Sequence, residues 1–197
     1  MTDNLDIEAL IKNSFKELLK IGEENAIKQN AESRLIFPKK RDGEKRISEQ
    51  ELRFLLAREL EKQDKFYYSV EAPTEDIYVF SGKKLISARL DLCLYDLNGK
   101  RTNLIELKYD NVEVENDFLK LLCDSETKQN YFVHIVDNTD RETIPSIEEK
   151  YKKAVNHSIS KRKIKSCIKI FLFVINTRSL YECKISNDGK IGELSKL

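Results

Sequence analysis

Leu90-Asp91-Leu92-Cys93-Leu94, the turn Asn98-Gly99, and Leu104-Ile105-Glu106-Leu107-Lys108 form the stretch on which the fold is decided. Two apolar runs each carry charge at alternate positions, and Asn-Gly between them is a strong signal for a tight hairpin. Residues two apart on a strand face the same side, so Glu106 and Lys108 project together while Ile105 and Leu107 enter the opposite layer. Asp91 and Glu106 each lie about seven residues from the turn centre, which makes them cross-strand neighbours on one face. Two adjacent carboxylates repel unless a cation lies between them. A hard divalent ion, Mg²⁺ or Mn²⁺, suits two carboxylates, one main-chain carbonyl and water.

Outward from this hairpin, Ser48 followed by Glu51 ahead of Leu52, Leu55, Leu56 and Leu60 is a capping-box start for a helix over 49–63. Aromatic and β-branched residues predict strands over 66–71 and 77–80, separated by a turn at Pro73-Thr74. Strands follow over 86–95 and 102–109, then a helix over 112–125, a strand over 131–136, a basic helix over 146–158, and strands over 168–175 and 180–185. Upstream, Leu5, Ile7, Leu10, Ile11, Phe15, Leu18, Leu19 and Ile21 have helical spacing up to Gly22. A basic loop over 38–45 joins that helix to the rest. The expected architecture is α/β, with an N-terminal helical extension and basic loop over 1–47 and a main domain over 48–197 built on a central mixed β-sheet flanked by helices.

Hydrophobic residues at 40% exclude the low-hydrophobicity signature of disorder, and the longest apolar run, Ile170 to Ile175, is far too short to span a bilayer. The opening Met1-Thr2-Asp3-Asn4-Leu5-Asp6 lacks the basic-then-apolar pattern of a secretory signal, so a cytoplasmic protein without membrane attachment is expected. Cys93, Cys123, Cys167 and Cys183 are widely spaced and are expected as reduced, mostly buried thiols. No Gly-rich phosphate loop or Ser/His/Asp pattern appears. His134, flanked by Phe132, Val133, Ile135 and Val136, reads as a packed or surface histidine rather than a base, and Tyr109, Asp110 and Asn111 as strand-exit polarity.

Net charge is only +1, yet Lys150 to Tyr181 holds nine Lys or Arg and no Asp or Glu. Such a run is either a solvated face or a phosphate-tracking surface. Lys161, Arg162 and Lys163 in it, with Lys39, Lys40 and Arg41 upstream, are the candidates to hold a nucleic-acid backbone.

An acid on one strand and E-x-K on the next resembles the PD-(D/E)XK nuclease superfamily, over about residues 48–136. The resemblance implies a restriction-endonuclease-like core and Mg²⁺- or Mn²⁺-dependent hydrolysis of phosphodiesters, DNA favoured over RNA, by an endonuclease. It implies metal ligation by Asp91, Glu106 and the main-chain carbonyl of Leu107, with Lys108 orienting the attacking water. Leu90 replaces the proline usual before the first acid, and the preceding Arg89 is a candidate phosphate contact. Family members often add a glutamate from the preceding helix. Glu49 faces the apolar side and is favoured, with Glu59 as the alternative, whereas Glu51 is explained by capping. Cutting a duplex would suit a homodimer. The rival expectation is a non-catalytic nucleic-acid-binding or interaction subunit of a defence, repair or other DNA-processing complex that keeps the fold.

Overall fold

The computed structural model describes residues 7–23, 35, 37–38, 41, 43, 47–78, 86–110, 113–138 and 143–197. Two compact units divide the chain, Met1–Lys65 and Phe66–Leu197. The first holds two helices, α1 (Ile7–Glu23) and α2 (Glu49–Glu61). The stripe expected on α1 is buried through Ile7, Leu10, Ile11, Phe15, Leu18 and Ile21. Ser48 caps α2: its hydroxyl accepts from Gln50 N at 3.3 Å and donates to the Glu51 carboxylate, so one residue serves two ends of the capping arrangement. Leu52, Leu55, Leu56 and Leu60 are buried on one side, and Arg58 ties α2 to Glu17 of α1 at 2.6 Å.

The second unit is an α/β arrangement on one open, mixed seven-stranded sheet in chain order. Its strands are β1 (Tyr67–Tyr78), β2 (Ile86–Tyr95), β3 (Arg101–Tyr109), β4 (Gln129–Val136), β5 (Cys167–Val174), β6 (Ser179–Ile185) and β7 (Ser195–Lys196). β1 to β3 are antiparallel; β3, β4 and β5 are parallel; β5 to β7 are antiparallel again. The parallel steps need crossovers, supplied by α3 (Glu115–Cys123) and α4 (Thr143–Lys161). β4 and β5 are buried along almost their whole length, and this explains why their sequences run apolar instead of alternating.

At the hairpin, Asp96 accepts through its carboxylate from Asn98 N and Lys100 N, and Gly99 takes a φ of 78° that favours glycine. The break expected at Pro73-Thr74 is absent, because β1 continues through it. Proline lacks a ladder donor and is tolerated here since β1 is the edge strand. The register slips between Pro73 and Ile77, and Thr74 Oγ1 bridges the irregularity by accepting from Ala88 N at 3.0 Å and donating to Asp76 O at 2.8 Å. The expected strand over 77–80 lies partly outside the described residues. β7 is an addition that its two exposed residues did not announce.

All four cysteines are free thiols, three of them buried and Cys167 partly so. Among the described residues no helix is long and apolar enough to cross a membrane.

One face of the sheet packs on α3 and α4. Phe132, Val136, Ile170 and Leu172 meet Phe118, Leu121, Tyr151 and Val155 there, with the Phe118 and Phe132 rings edge to face at 5.0 Å. Because Phe132 is fully enclosed, Phe132→Ala should lower stability by about 3–5 kcal/mol, mostly as a cavity cost. Urea denaturation would measure it, and a loss below about 1 kcal/mol would mean that this layer is loosely packed.

Candidate functional site

The β2–β3 register runs through Leu94↔Asn103 and Cys93↔Leu104 to Leu92↔Ile105. One step further the pairing would match Asp91 with Glu106. At that step Asp91 Oδ2 accepts from Leu107 N at 2.7 Å, so a side-chain carboxylate takes an amide at the point where the ladder ends. Asp91 and Glu106 thus come together, close enough that the Asp91 charge acts on Glu106. Parallel pairing with β4 sets Glu106 opposite Phe132 and Lys108 opposite His134. The site therefore lies on the face that carries the aromatic core.

That placement makes Glu106 a buried carboxylate, 4% exposed. Burial raises its pKa well above the usual carboxylate range, with the Asp117 and Asp91 charges adding to the rise, and Lys120 opposes it. Lys120 reaches in from α3 and donates to Glu106 Oε1, to Asp117 Oδ1 at 3.0 Å and to the main-chain carbonyl of Arg89 at 3.0 Å. Burial works against its charge, but Glu106 and Asp117 outweigh burial and raise its pKa, so the group is an ammonium. Asp117 Oδ2 also holds Lys108, at 2.9 Å. Three carboxyl groups, Asp91, Glu106 and Asp117, and two amino groups, Lys108 and Lys120, thus gather in one cluster.

Asp117 and Lys120 were not among the residues that the sequence singled out. The signal was present: spaced three apart on α3, they lie together along one edge of the apolar side beside Leu121, and charged residues placed there must be paired.

A second network closes the β3 exit. His134, fully buried in β4, lies 2.7 Å through Nε2 from the Asp110 carbonyl and 2.8 Å through Nδ1 from the Tyr151 hydroxyl. A carbonyl only accepts, so Nε2 carries the proton and, in the neutral ring, Nδ1 accepts from Tyr151. Burial, with Lys150 and Lys108 nearby, lowers the His134 pKa to about 4. Asp110 is held in the left-handed region at φ 68°, its amide donating to Ile135 O at 2.8 Å. The histidine pins the chain two residues beyond Lys108.

The remaining candidates are dispersed. Glu49 opens α2 in the first unit and is half-buried, whereas Asp91, Glu106 and Lys108 belong to the second. Glu51 receives the Ser48 hydroxyl and Glu59 pairs with Lys62. Arg89 is exposed on β2, 3.9 Å from Glu71. Lys161 ends α4 and, like Lys163, is exposed; Arg162 pairs with Asp76 at 3.3 Å. Arg41 is exposed, while Lys39 and Lys40 lie outside the described residues.

Among the described residues no group of three or more His, Cys, Asp or Glu side chains is arranged to hold an ion. The expected set has only two such side chains, and it can be judged on its donors. Carboxylate and carbonyl oxygens of Glu106, Asp117 and Arg89 already converge on one cationic centre, the Lys120 ammonium. An oxygen-rich point that holds a cation beside Asp91 fits a hard divalent ion. Comparison with protein-family models and with curated proteins finds no match to the chain.

The neutral His134 has a pH signature. Its folded pKa is depressed, so its stabilisation is complete above about pH 6.5 and is lost as pH falls toward 4. Over that window the wild type should lose up to about 3 kcal/mol that His134→Gln does not lose. Urea midpoints at pH 4 to 7 would test this, and parallel pH slopes in the two proteins would refute a buried neutral imidazole.

Proposed function

We propose that the chain is a Mg²⁺- or Mn²⁺-dependent nuclease of the PD-(D/E)XK type, hydrolysing phosphodiester bonds in DNA in preference to RNA, by endonucleolytic cleavage. The observation that carries this reading is the meeting of Asp91 and Glu106 at the end of the β2–β3 ladder, with Lys108 two residues on along the same face. The gathering of carboxyl and carbonyl oxygens at one partly exposed strand end supports a hard divalent ion as the further component.

Asp91, Glu106 and the Leu107 carbonyl would hold the ion. When bound, a divalent ion lowers the pKa of a coordinated water and offsets negative charge on the phosphoryl oxygens. Lys108, steadied by Asp117 at 2.9 Å, would orient the attacking water and donate to a phosphoryl oxygen. Glu49 is the proposed fourth contributor, from α2.

Exposed Arg41, Arg89, Lys161 and Lys163 would track the phosphate backbone, with Arg162 shared between phosphate and Asp76; Lys39 and Lys40 belong to the same proposal. Affinity would then fall steeply with salt. A homodimer would bring two such sites to a duplex, and a partner protein of a defence or repair system is the other proposed associate.

One observation favours the non-catalytic reading: all three N–H groups of Lys120 are taken by protein oxygens, so the cluster is largely satisfied from within.

Cleavage of circular single- and double-stranded DNA and of structured RNA in Mg²⁺ or Mn²⁺ separates the two. The wild type is expected to cut DNA, and Asp91→Asn, Glu106→Gln and Lys108→Ala to lose roughly 100- to 1,000-fold in rate. Salt-sensitive binding with no cutting in either metal would leave the interaction subunit as the function.

A further inference from the structure

Lys120 spends all three of its donors on three oxygens: Glu106 Oε1, Asp117 Oδ1 and the Arg89 carbonyl. Two of these lie within the candidate site or against it. Glu106 is an expected metal ligand, and Arg89 stands two residues before the other acid on the same strand. The third, Asp117, comes from the same helix as Lys120, one turn earlier, and is bridged through its second oxygen to Lys108. The Lys120 side chain is only 9% exposed and its ammonium is anchored by Asp117 of its own helix, so it is built into the fold and is no mobile surface charge. A carboxylate oxygen that accepts from an ammonium cannot at the same time give that lone pair to a metal ion.

We infer that Lys120 is a tethered competitor for the divalent cation: its ammonium occupies Glu106 Oε1 in the ion-free protein, and an ion ligated by Glu106 must either displace it from that oxygen or share the carboxylate with a like charge. This inference rests on the metal-dependent reading of the site and adds a residue that sets the ion affinity. In the ion-free state Lys120 keeps Glu106 from being an unpaired buried charge. On ion binding it has somewhere to go, because Asp117 remains as its partner within the same helical turn. The arrangement trades affinity for a site that stays folded without the metal. It also predicts that Lys120 and Lys108 differ: Lys108 is seen on Asp117 and carries the same charge, whereas Lys120 is hydrogen-bonded to the Glu106 ligand oxygen.

The test is Mn²⁺ binding to the full chain without nucleic acid, followed by electron paramagnetic resonance and by the ion-induced shift in melting temperature. Wild type, Lys120→Met, Lys108→Met and Glu106→Gln would be compared. Lys120→Met should bind Mn²⁺ about tenfold tighter or more, since a unit positive charge a few ångströms away is removed together with its hold on the ligand. It should also melt lower than wild type without the ion and show the larger ion-induced rise. Lys108→Met should tighten binding less. Should Lys120→Met fail to fold for want of a partner to Glu106, Lys120→Gln, which keeps a donor for Glu106 without the charge, is judged by the same tenfold criterion. Unchanged or weaker binding on removing Lys120, with Glu106→Gln still abolishing it, overturns the competitor and leaves the metal site standing. Equal tightening in Lys108→Met overturns it too, by reducing the effect to a general field. Absence of Mn²⁺ binding in every variant sinks both the inference and the metal site beneath it.

Discussion

Glu106 is a charged residue in the middle of a hydrophobic layer, and the architecture around it is arranged to keep that charge tolerable. Its neighbour across the parallel pairing is Phe132, at the centre of the aromatic core. A carboxylate in such a position either neutralises or finds a cation. Lys120 is that cation, and because it stands on α3, the same contact that satisfies Glu106 also docks α3 on the sheet. Removing one partner of a buried pair leaves the other uncompensated, at about 3–5 kcal/mol. The position of α3, and through Phe118 the stacking against Tyr151 of α4 at 5.5 Å, is thus coupled to the electrostatics of one glutamate.

The change of strand direction at β3 is the second constraint. β3 is antiparallel to β2 and parallel to β4, so it has a hairpin at its start and a crossover at its end. Asp91 and Glu106 meet between β2 and β3 at the end away from the turn, near the point where the chain must leave the sheet to form α3. The exit is then fixed from the other side by His134, which donates to the Asp110 carbonyl and is itself held by the Tyr151 hydroxyl. Lys108 lies between the two restraints. Its ammonium is set by Asp117 and its backbone by the strand pairing and the clamped residue that follows, and this is the kind of support that a precise site needs.

Much of this was legible in the sequence because it depends on period and parity. Alternation in 90–94 and 104–108, with Asn98-Gly99 between, fixes which residues share a face, and the structure brings Asp91, Glu106 and Lys108 to one side. Helical spacing likewise recovered α1 to α4 within a few residues. The Pro73-Thr74 break was misread because proline signals a turn in general but is tolerated on an edge strand, and edge position is a property of the whole sheet. Lys120 and Asp117 were missed for a related reason. Their meaning comes from Glu106, which is distant in sequence and adjacent only once α3 packs, and a helix read in isolation gives charged residues to solvent. Glu49 was assigned from the pattern of its own helix, and no local pattern encodes tertiary proximity.

A cluster of five charges is also a poor way to stabilise a core. Well-packed apolar residues in place of a buried ion pair are commonly neutral or better by about 1–4 kcal/mol, and Phe118, Leu121 and Leu122 on the same helix show that α3 can supply such packing. The cluster is moreover costly to bury, since burial pushes the Glu106 carboxyl well above its usual range even with Lys120 beside it. A network that ends a strand ladder and presents a partly exposed Asp91 and a partly exposed Lys108 at its margin is placed where a component from outside, such as the proposed divalent cation, would enter. The stability forgone in the core is then accounted for by chemistry at its edge, the argument on which the proposed divalent cation, and the role of Lys120 in admitting it, both stand.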